Sequence, residues 1–412
     1  MQDTTASHGK PVLLTIGLCS QTARSSQPYR GYMLDIAREL AAIWLFDIPG
    51  QNWQDNLVLG KTEFDVFDTR LAIENAKKLA LEHPILGVWC PDEATARVAA
   101  AVAEELGLPG PGVEAILRGR DKSASRQCFA QQGLRQPVSR KVRNLDEARK
   151  EAANIGYPVI IKPRNLGASM GVVLVHSETD LASAYEGARD ASYHGIEKID
   201  EGVLVEEFLV GPEVAVDAYF DGSCLYALGV ANKHLGFAPY FEEVGHDVLE
   251  VCPEHIEIVK ELEAAHKALG LGSLVTHSEV RLTERGPVVI EINVRPGGDF
   301  IPILIEMATG VSSVRVSVEA ALGLEPTLTP TKHRAAAIRF CYVPYDGTVV
   351  RVDGGDLNGV DFLDLTEGPT LLKLPPRGFV GRYAAVLSEA DHVKTASALA
   401  DQEASKVRVT ME

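Results

Sequence analysis

The stretch VVIEINVRPGGDFIP, residues 288–302, decides how this chain is read. Its first half has the composition of a strand, and the pattern breaks at Pro296-Gly297-Gly298. Residues two apart on a strand share a face. One face therefore carries Glu291, Asn293 and Arg295, while Ile290, Ile292 and Val294 point the other way. A carboxylate, an amide and a guanidinium in a row suit a place where a cation meets an anionic group.

The residues before it extend the pattern. In THSEVRLTERGPVVIEINVRP (276–296), strand 276–283 and strand 287–294 are joined by Glu284-Arg285-Gly286. Gly286 fits the left-handed position of a three-residue hairpin loop. If Thr283 pairs with Pro287, Glu279 lies directly opposite Glu291. Opposed side chains on an antiparallel pair sit about 5 Å apart, and like charges there are destabilising. A divalent cation would compensate, with Asn293 as a third oxygen donor. Glu279, Glu291 and Asn293 are hard oxygen ligands that suit Mg²⁺ better than zinc. The competing reading is a solvated polar strand face.

Two further stretches carry groups for an anionic ligand. VIIKPRNLGASMGVV (159–173) puts Lys162 at the end of an apolar strand, before a loop holding Gly167, Ser169 and Gly171. Glycines let backbone N–H groups approach phosphate oxygens. No GxxxxGK[ST] is present, so this is not a P-loop. Taken alone, it reads rather as a glycine-rich hairpin with a surface lysine. VLVEEFLVGPEVAV (203–216) gives a strand, then Glu206-Glu207, a short linker through Leu209, and Glu213 on a new strand. It reads as a nucleotide-binding linker or as an exposed acidic turn.

The rest of the chain narrows the field. A length of 412 residues predicts two or three domains. A net charge of -17 and the lack of a basic block argue against nucleic acid or an anionic membrane as partner. No apolar run reaches the ~20 residues of a membrane helix. The first residues lack a signal peptide's apolar segment. Six scattered cysteines without metal spacing predict free buried thiols in a cytoplasmic protein. PVLLTIGLCS predicts a strand, YMLDIARELAAIW (32–44) a helix, PILGVWCPDE a strand and ATARVAAAVAEELGLPG a helix. That alternation predicts a parallel α/β domain over 1–112. Asp121 reads as the N-cap of a helix over 121–134. EHIEIVKELEAAHKAL predicts an amphipathic helix. Residues 325–333 form a Pro/Thr-rich connector to a tail of short strands and a final helix.

In chain order, Lys122, Lys162 with its glycine loop, Glu206-Glu207-x-Leu209-x-Gly211-x-Glu213, Glu279, and E-x-N-x-R twelve residues after it resemble the ATP-grasp superfamily. Each motif is weak singly; the set is specific, and it covers roughly 110–330. The resemblance implies an ATP-grasp fold of α/β and α+β class. It has an N-terminal parallel α/β domain (1–112), a two-lobed ATP-binding region (113–330, small lobe about 137–206) and a small C-terminal α+β subdomain (331–412).

The resemblance also implies an ATP-dependent carboxylate–amine ligase that works through an acyl phosphate. Lys122 and Lys162 match lysines that contact ATP phosphates. Gly167, Ser169 and Gly171 belong to a loop that closes over the triphosphate. Glu206, Glu207 and Leu209 match the adenine linker, and Glu213 the ribose-binding acid. Glu279, Glu291 and Asn293 match ligands for two Mg²⁺, with Mn²⁺ as a substitute. Arg295 matches the arginine that stabilises the transferring phosphoryl group.

Within the superfamily the chain is similar to L-amino-acid ligases that make dipeptides, often in antibiotic pathways. Glu243 and His246 in FEEVGHDVLE (241–250) match a substrate-contacting E-x-x-H pair, with His246 orienting substrate or deprotonating the amine. RPGGDFIPILIEMATG (295–310), with Gly298, and AAAIRFCYVPYDGTVV (335–350) match later segments. Asp299 departs from the pattern, because some dipeptide ligases carry a bulky aromatic there. It reads as a partner for a substrate ammonium or as a cap of the next turn. The expected substrates are a small carboxylic acid or amino acid and a second amino acid, and a homodimer is consistent with the family. Carboxylase-type and purine-biosynthesis ligases share the ATP residues, but the chain has no A-M-K-M biotin loop. A non-catalytic ATP-binding module would be expected to lack a metal ligand, and none is missing.

Overall fold

The computed structural model describes residues 12–18, 27–50, 52–192, 202–249, 255–366, 368–375 and 381–412. Cys19 and Cys252 lie outside them. In chain order the first elements are β1 (Val12–Ile16), α1 (Gln27–Leu40), β2 (Ala42–Asp47), β3 (Gly60–Glu63), α2 (Thr69–Glu82), β4 (Ile85–Trp89) and α3 (Ala96–Leu106). The strands form a parallel sheet in the order β3-β2-β1-β4. Its core of Leu14, Ile16, Phe46 and Val66 packs against Ala72 and Ala76 of α2 and Val98 and Val102 of α3. Gly107, in the left-handed region, ends α3.

The helix expected over 32–44 stops at Leu40. Residues from Ala42 pair in parallel with β1 instead, and Ile43, Leu45 and Phe46 are buried there. Alanines made the boundary look helical. Burial of β-branched and aromatic residues against a neighbouring strand decided otherwise.

Two short helices, α4 (Val113–Arg120) and α5 (Lys122–Gln131), lead into the second unit. The Asp121 side chain accepts from Ser123 N, the expected N-cap. Next come β5 (Ser139–Val142), α6 (Leu145–Ile155), β6 (Val159–Lys162), β7 (Val173–Val175), α7 (Glu178–Asp190) and β8 (Val203–Glu207). Their strands make an antiparallel sheet in the order β5-β8-β6-β7, covered by α6 and α7 around a core of its own.

The chain then forms β9 (Glu213–Asp221), β10 (Leu225–Gly236), β11 (Glu242–Leu249), α8 (Ile256–Leu269), β12 (Ser273–Thr283), β13 (Gly286–Asn293), α9 (Ile301–Thr309) and α10 (Ser313–Ala321). The last elements are β14 (Ala335–Tyr342), β15 (Gly347–Asp353), β16 (Val360–Asp364), β17 (Thr370–Leu372), β18 (Arg382–Ala390), α11 (Val393–Ala404) and β19 (Arg408–Met411). Among the described residues, eight strands build one sheet, β13-β12-β9-β10-β11-β14-β18-β16, and β17-β15-β19 form a small one. Strands of the tail thus continue the sheet that carries the Glu279/Glu291 hairpin. One face of this sheet packs on α9 and α10, the other on α5 and α8.

The hairpin departs from expectation in two ways that cancel. Thr283 pairs with Gly286, so the loop is one residue shorter than expected. The register then shifts between Glu279 and Val280, and Glu279 still faces Glu291. The extra residue is Ile290, in a bulge. It turns into the cleft beside Glu291 and not, as strict alternation required, into the core with Ile292 and Val294.

The four described cysteines, Cys90, Cys128, Cys224 and Cys341, are free. Cys224 is exposed near the β9–β10 turn, against the expectation of buried thiols throughout. Among the described residues, no single helix is long and apolar enough to cross a membrane.

Candidate active site

A cleft lies between the small-lobe sheet and the β13-β12-β9 end of the large sheet. Lys122, Lys162, Gly167, Ser169, Glu206, Glu207, Leu209, Glu213, Glu279 and Glu291 all line it. The N-cap at Asp121 starts α5 so that Lys122 sits in its first turn, where its N–H donates to Arg164 O at 2.9 Å. Its Nζ donates to Leu166 O at 2.8 Å and lies 2.7 Å from Glu291 Oε2. Lys162 ends β6 with its Nζ 2.6 Å from Glu206 Oε2. Neither lysine is a surface group.

The loop after β6 turns sharply. Ala168, Ser169 and Gly171 all have φ between 51° and 72°. Two consecutive non-glycine residues in the left-handed region are costly, and such strain gathers at ligand clamps. Gly171 has a steric reason as well: a Cβ there would stand 2.9 Å from Ala191 Cβ.

The acidic linker is split by burial. Glu206 is 3% exposed and turned inward, so it is not an exposed turn residue. Glu207 faces outward, accepting from Val138 N at 3.1 Å and pairing with Arg285 at 2.8 Å. Leu209 is buried against the cleft. Gly211 (φ +141°) passes so close to the hairpin that a Cβ would meet Leu282 O at 2.0 Å. Glu213 follows, bonded to Arg281, which stands directly opposite on β12, and 2.7 Å from Lys233.

Glu279 and Glu291 are paired across β12 and β13. Each of the two carboxylates has a lysine beside it, Lys122 at Glu291 and Lys233 at Glu279. Lys233 Nζ lies 2.9 Å from Glu279, and 2.7 Å from both Glu213 and Glu243. Burial pushes the Glu279 carboxyl up against the pull of Lys233, and Glu291, Glu213 and Glu243 add to the rise. Burial acts the same way on Glu291, but Lys122 and a bond from Asn293 Nδ2 at 3.0 Å outweigh it and hold that carboxyl low. Lys233 and Arg281 are two cations shared among three carboxylates. The face offers three oxygen-bearing side chains, Glu279, Glu291 and Asn293, a donor set that fits Mg²⁺.

At the far end, Arg295 donates to Pro296 O at 2.7 Å, and its Nε lies 3.6 Å from Glu93 Oε2 of the N-terminal unit. The Gly297 N–H donates to Asp217 at 3.2 Å, and its carbonyl accepts from Tyr29 OH. Asp217 also holds His277 Nδ1 at 2.8 Å.

Glu243, His246 and Asp299 come together. His246 is wholly buried, with Nε2 3.3 Å from Asp299 and Nδ1 unpartnered. Asp299 neither caps the next turn nor stands free for an ammonium. Arg382 of β18 grips both its oxygens at 2.7 and 2.8 Å, and also donates to Glu243 O at 2.8 Å. The guanidinium lies 3.7 Å over the Phe340 ring. A Cβ added at Gly298 would enter open space, with Arg295 Nη1 at 4.0 Å.

Residues 155–302 match the family described as the ATP-grasp domain. The chain carries an ATP-grasp domain. It is 30% identical over 222 residues to the D-alanine–D-alanine ligase of Geobacter sulfurreducens, covering 51% of this chain and 66% of that one. It is 29% identical over 223 residues to the alanine–anticapsin ligase of Bacillus subtilis, covering 49% and 47%. The matches thus span about half to two-thirds of these curated relatives. The structure of an L-amino acid ligase from Bacillus licheniformis superposes with a TM-score of 0.80 and 22% identity, over 98% of this chain and 99% of that one. That likeness establishes the ATP-grasp fold.

Proposed function

We propose that this protein is an ATP-dependent ligase. It joins the carboxylate of a small acid or amino acid to the amine of a second amino acid, releases ADP and phosphate, and serves dipeptide natural-product synthesis. The observation that carries this reading is the Glu279–Glu291 pair, flanked by Lys122, in a cleft that also holds Lys162. The ligases among its relatives support it.

A carboxylate is a poor acyl donor because its leaving group is oxide. Transfer of the γ-phosphoryl group of ATP to it gives an acyl phosphate and ADP, and an amine attacking the acyl carbon then displaces phosphate. Charge spreads over the transferring group, and fixed cations stabilise it. Lys122 and Lys162 serve the triphosphate, and Arg295 serves the transferring phosphoryl group and the later tetrahedral oxyanion. Glu279, Glu291 and Asn293 would hold magnesium, as two ions and replaceable by Mn²⁺, and the metal would supply neutralisation of the phosphate charge. Leu209 and the linker backbone hold adenine, and Glu213 holds the ribose. The loop with Gly167, Ser169 and Gly171 shuts out water that would hydrolyse the acyl phosphate. Glu243, with Asp299 and His246 behind it, positions the amino-acid substrate.

The test is phosphate release from Mg-ATP across pairs of amino acids and small carboxylic acids, with mass spectrometry of products. Release that needs both partners, with a product lighter than their sum by one water, is expected. ATP binding without release for any pair would count against a ligase.

A further inference from the structure

The nucleotide cleft contains a buried charge for which the reading above has no use. Arg126 of α5 is 6% exposed. Its Nε and Nη2 donate to the two oxygens of Glu206 at 2.9 and 3.3 Å. Its Nη1 donates to Val289 O at 3.3 Å, and Nη2 donates to Ile290 O at 2.9 Å. These carbonyls belong to the bulge just before Glu291. On its other side Glu206 lies 2.6 Å from Lys162. Arg126 therefore grips the small-lobe sheet and the large-sheet hairpin at once.

We infer that Arg126 is a positioning residue for the triphosphate, which takes up the charge of Glu206 so that Lys162 faces phosphate as a net cation, and which fixes the bulge that aims Glu291. The inference rests on the cleft being a nucleotide site. Arg126, Lys162 and Glu206 are two cations against one carboxylate, a net charge of one. Without Arg126, Lys162 and Glu206 form a self-neutralised pair. A neutral pair attracts a phosphate far less than a net cation does in a weakly screened cleft. Burial pushes the Glu206 carboxyl up, yet Arg126 and Lys162 hold it well below the usual range, so it is a true anion that needs a counter-charge. The fork geometry matters too. A planar guanidinium can serve a carboxylate and two carbonyls together, which an ammonium cannot.

A buried arginine can also be plain packing, and the two roles part under charge restoration. Calorimetric titrations with ATP and with adenosine would use wild type, Arg126→Met, Glu206→Gln and the double variant. Arg126→Met is expected to weaken ATP about tenfold or more and to leave adenosine within about twofold. The double variant returns the net charge to one, so ATP affinity is expected to recover to within about threefold of wild type. Arg126→Lys keeps the charge without the fork. It is expected to bind ATP almost normally while kcat falls about tenfold, because the bulge loses donors. If Arg126→Met fails to fold, Glu206→Gln and Arg126→Lys carry the test, with ATP bound at least as tightly in the former. Equal loss of ATP and adenosine without recovery in the double variant would assign Arg126 to packing and overturn the inference alone, as would unchanged ATP binding in Arg126→Met. A wild type that binds neither ligand would overturn the nucleotide reading and the inference with it.

Discussion

Glu279 and Glu291 face each other across the β12–β13 ladder, and each has its own lysine, Lys233 at 2.9 Å and Lys122 at 2.7 Å. Each carboxylate thus has a fixed cation beside it in the cleft. Glu291→Gln keeps the size of the side chain and removes its charge. Turnover is expected to fall by at least about 100-fold, as when a fixed electrostatic group is lost from a transition state. The circular dichroism spectrum should not change, and Mg²⁺ binding to the nucleotide complex should weaken. Full activity in this variant would refute the metal assignment.

That pairing was legible in the sequence for a mixed reason. Alternation placed Glu291 and Asn293 on one face, and the hairpin count set Glu279 opposite Glu291. The loop is one residue shorter than the count assumed, and the bulge at Ile290 restored the register. Lys233 was not legible. A lysine between Asn232 and His234 looks like a surface group until the order β12-β9-β10 carries it over Glu213 and Glu279. The one available signal was the convergence of acids, which demands a buried cation. Arg382 lies 83 residues from Asp299, and no local spacing joins them. Glu93 and Asp217 reach the Arg295 turn from other elements for the same reason. Local pattern reports which face a side chain takes; tertiary pairing decides what it meets.

Asp299 and Arg382 form a mostly buried pair at the substrate end. Burial pushes the Asp299 carboxyl up, but Arg382 first and then His246 hold it well below its ordinary value. A depressed acid adds stability above its unfolded value of about 4, and that stability is lost as pH falls through the folded value. Arg382→Met should therefore cost about 3 kcal/mol at pH 7, the usual penalty of stranding one partner of a buried pair, and less below pH 4. Adding Asp299→Asn should recover part of it. KM for the amino-acid substrate should rise while KM for ATP holds. Urea denaturation and initial rates check both.

His266 gives a second pH dependence, of opposite origin. It is wholly buried, with Nδ1 2.6 Å from Leu262 O and Nε2 2.8 Å from Thr276 Oγ1. A neutral ring satisfies both bonds, donating from Nδ1 and accepting at Nε2. Burial lowers its pKa to about 4, against 6.5 for the free side chain. The unfolded chain therefore binds a proton that the folded chain refuses. Stability is full above pH 6.5 and falls as pH drops from 6.5 towards 4, by up to about 1.4 kcal/mol per pH unit from this residue. His266→Gln should lower stability at pH 7 but flatten that slope. Denaturation curves at pH 7, 6 and 5 for both proteins would show it. Parallel slopes would mean that another group carries the acid sensitivity.

Gly297 is where an added methyl group tests the substrate end most sharply. Its N–H donates to Asp217, its carbonyl accepts from Tyr29, and a Cβ would stand 2.9 Å from both Asp217 Oδ1 and His277 Nδ1. Those two atoms are bonded to each other at 2.8 Å and are buried, so neither can retreat. The backbone must move instead, and Arg295 sits two residues away. A displacement of about 1 Å at a reacting centre commonly costs about 100-fold in rate. Gly297→Ala should therefore cut kcat by that order and leave ATP affinity within about twofold, because Lys122, Lys162 and Glu213 stand on other elements. Gly298→Ala should differ, since its nearest neighbour is Arg295 Nη1 at 4.0 Å. Its methyl group enters open space on the substrate side and should raise KM for the amino acid more than it lowers kcat. If both variants instead lose ATP binding and rate together, the Arg295 turn and the nucleotide cleft move as one body, and the division of the site into two ends is wrong.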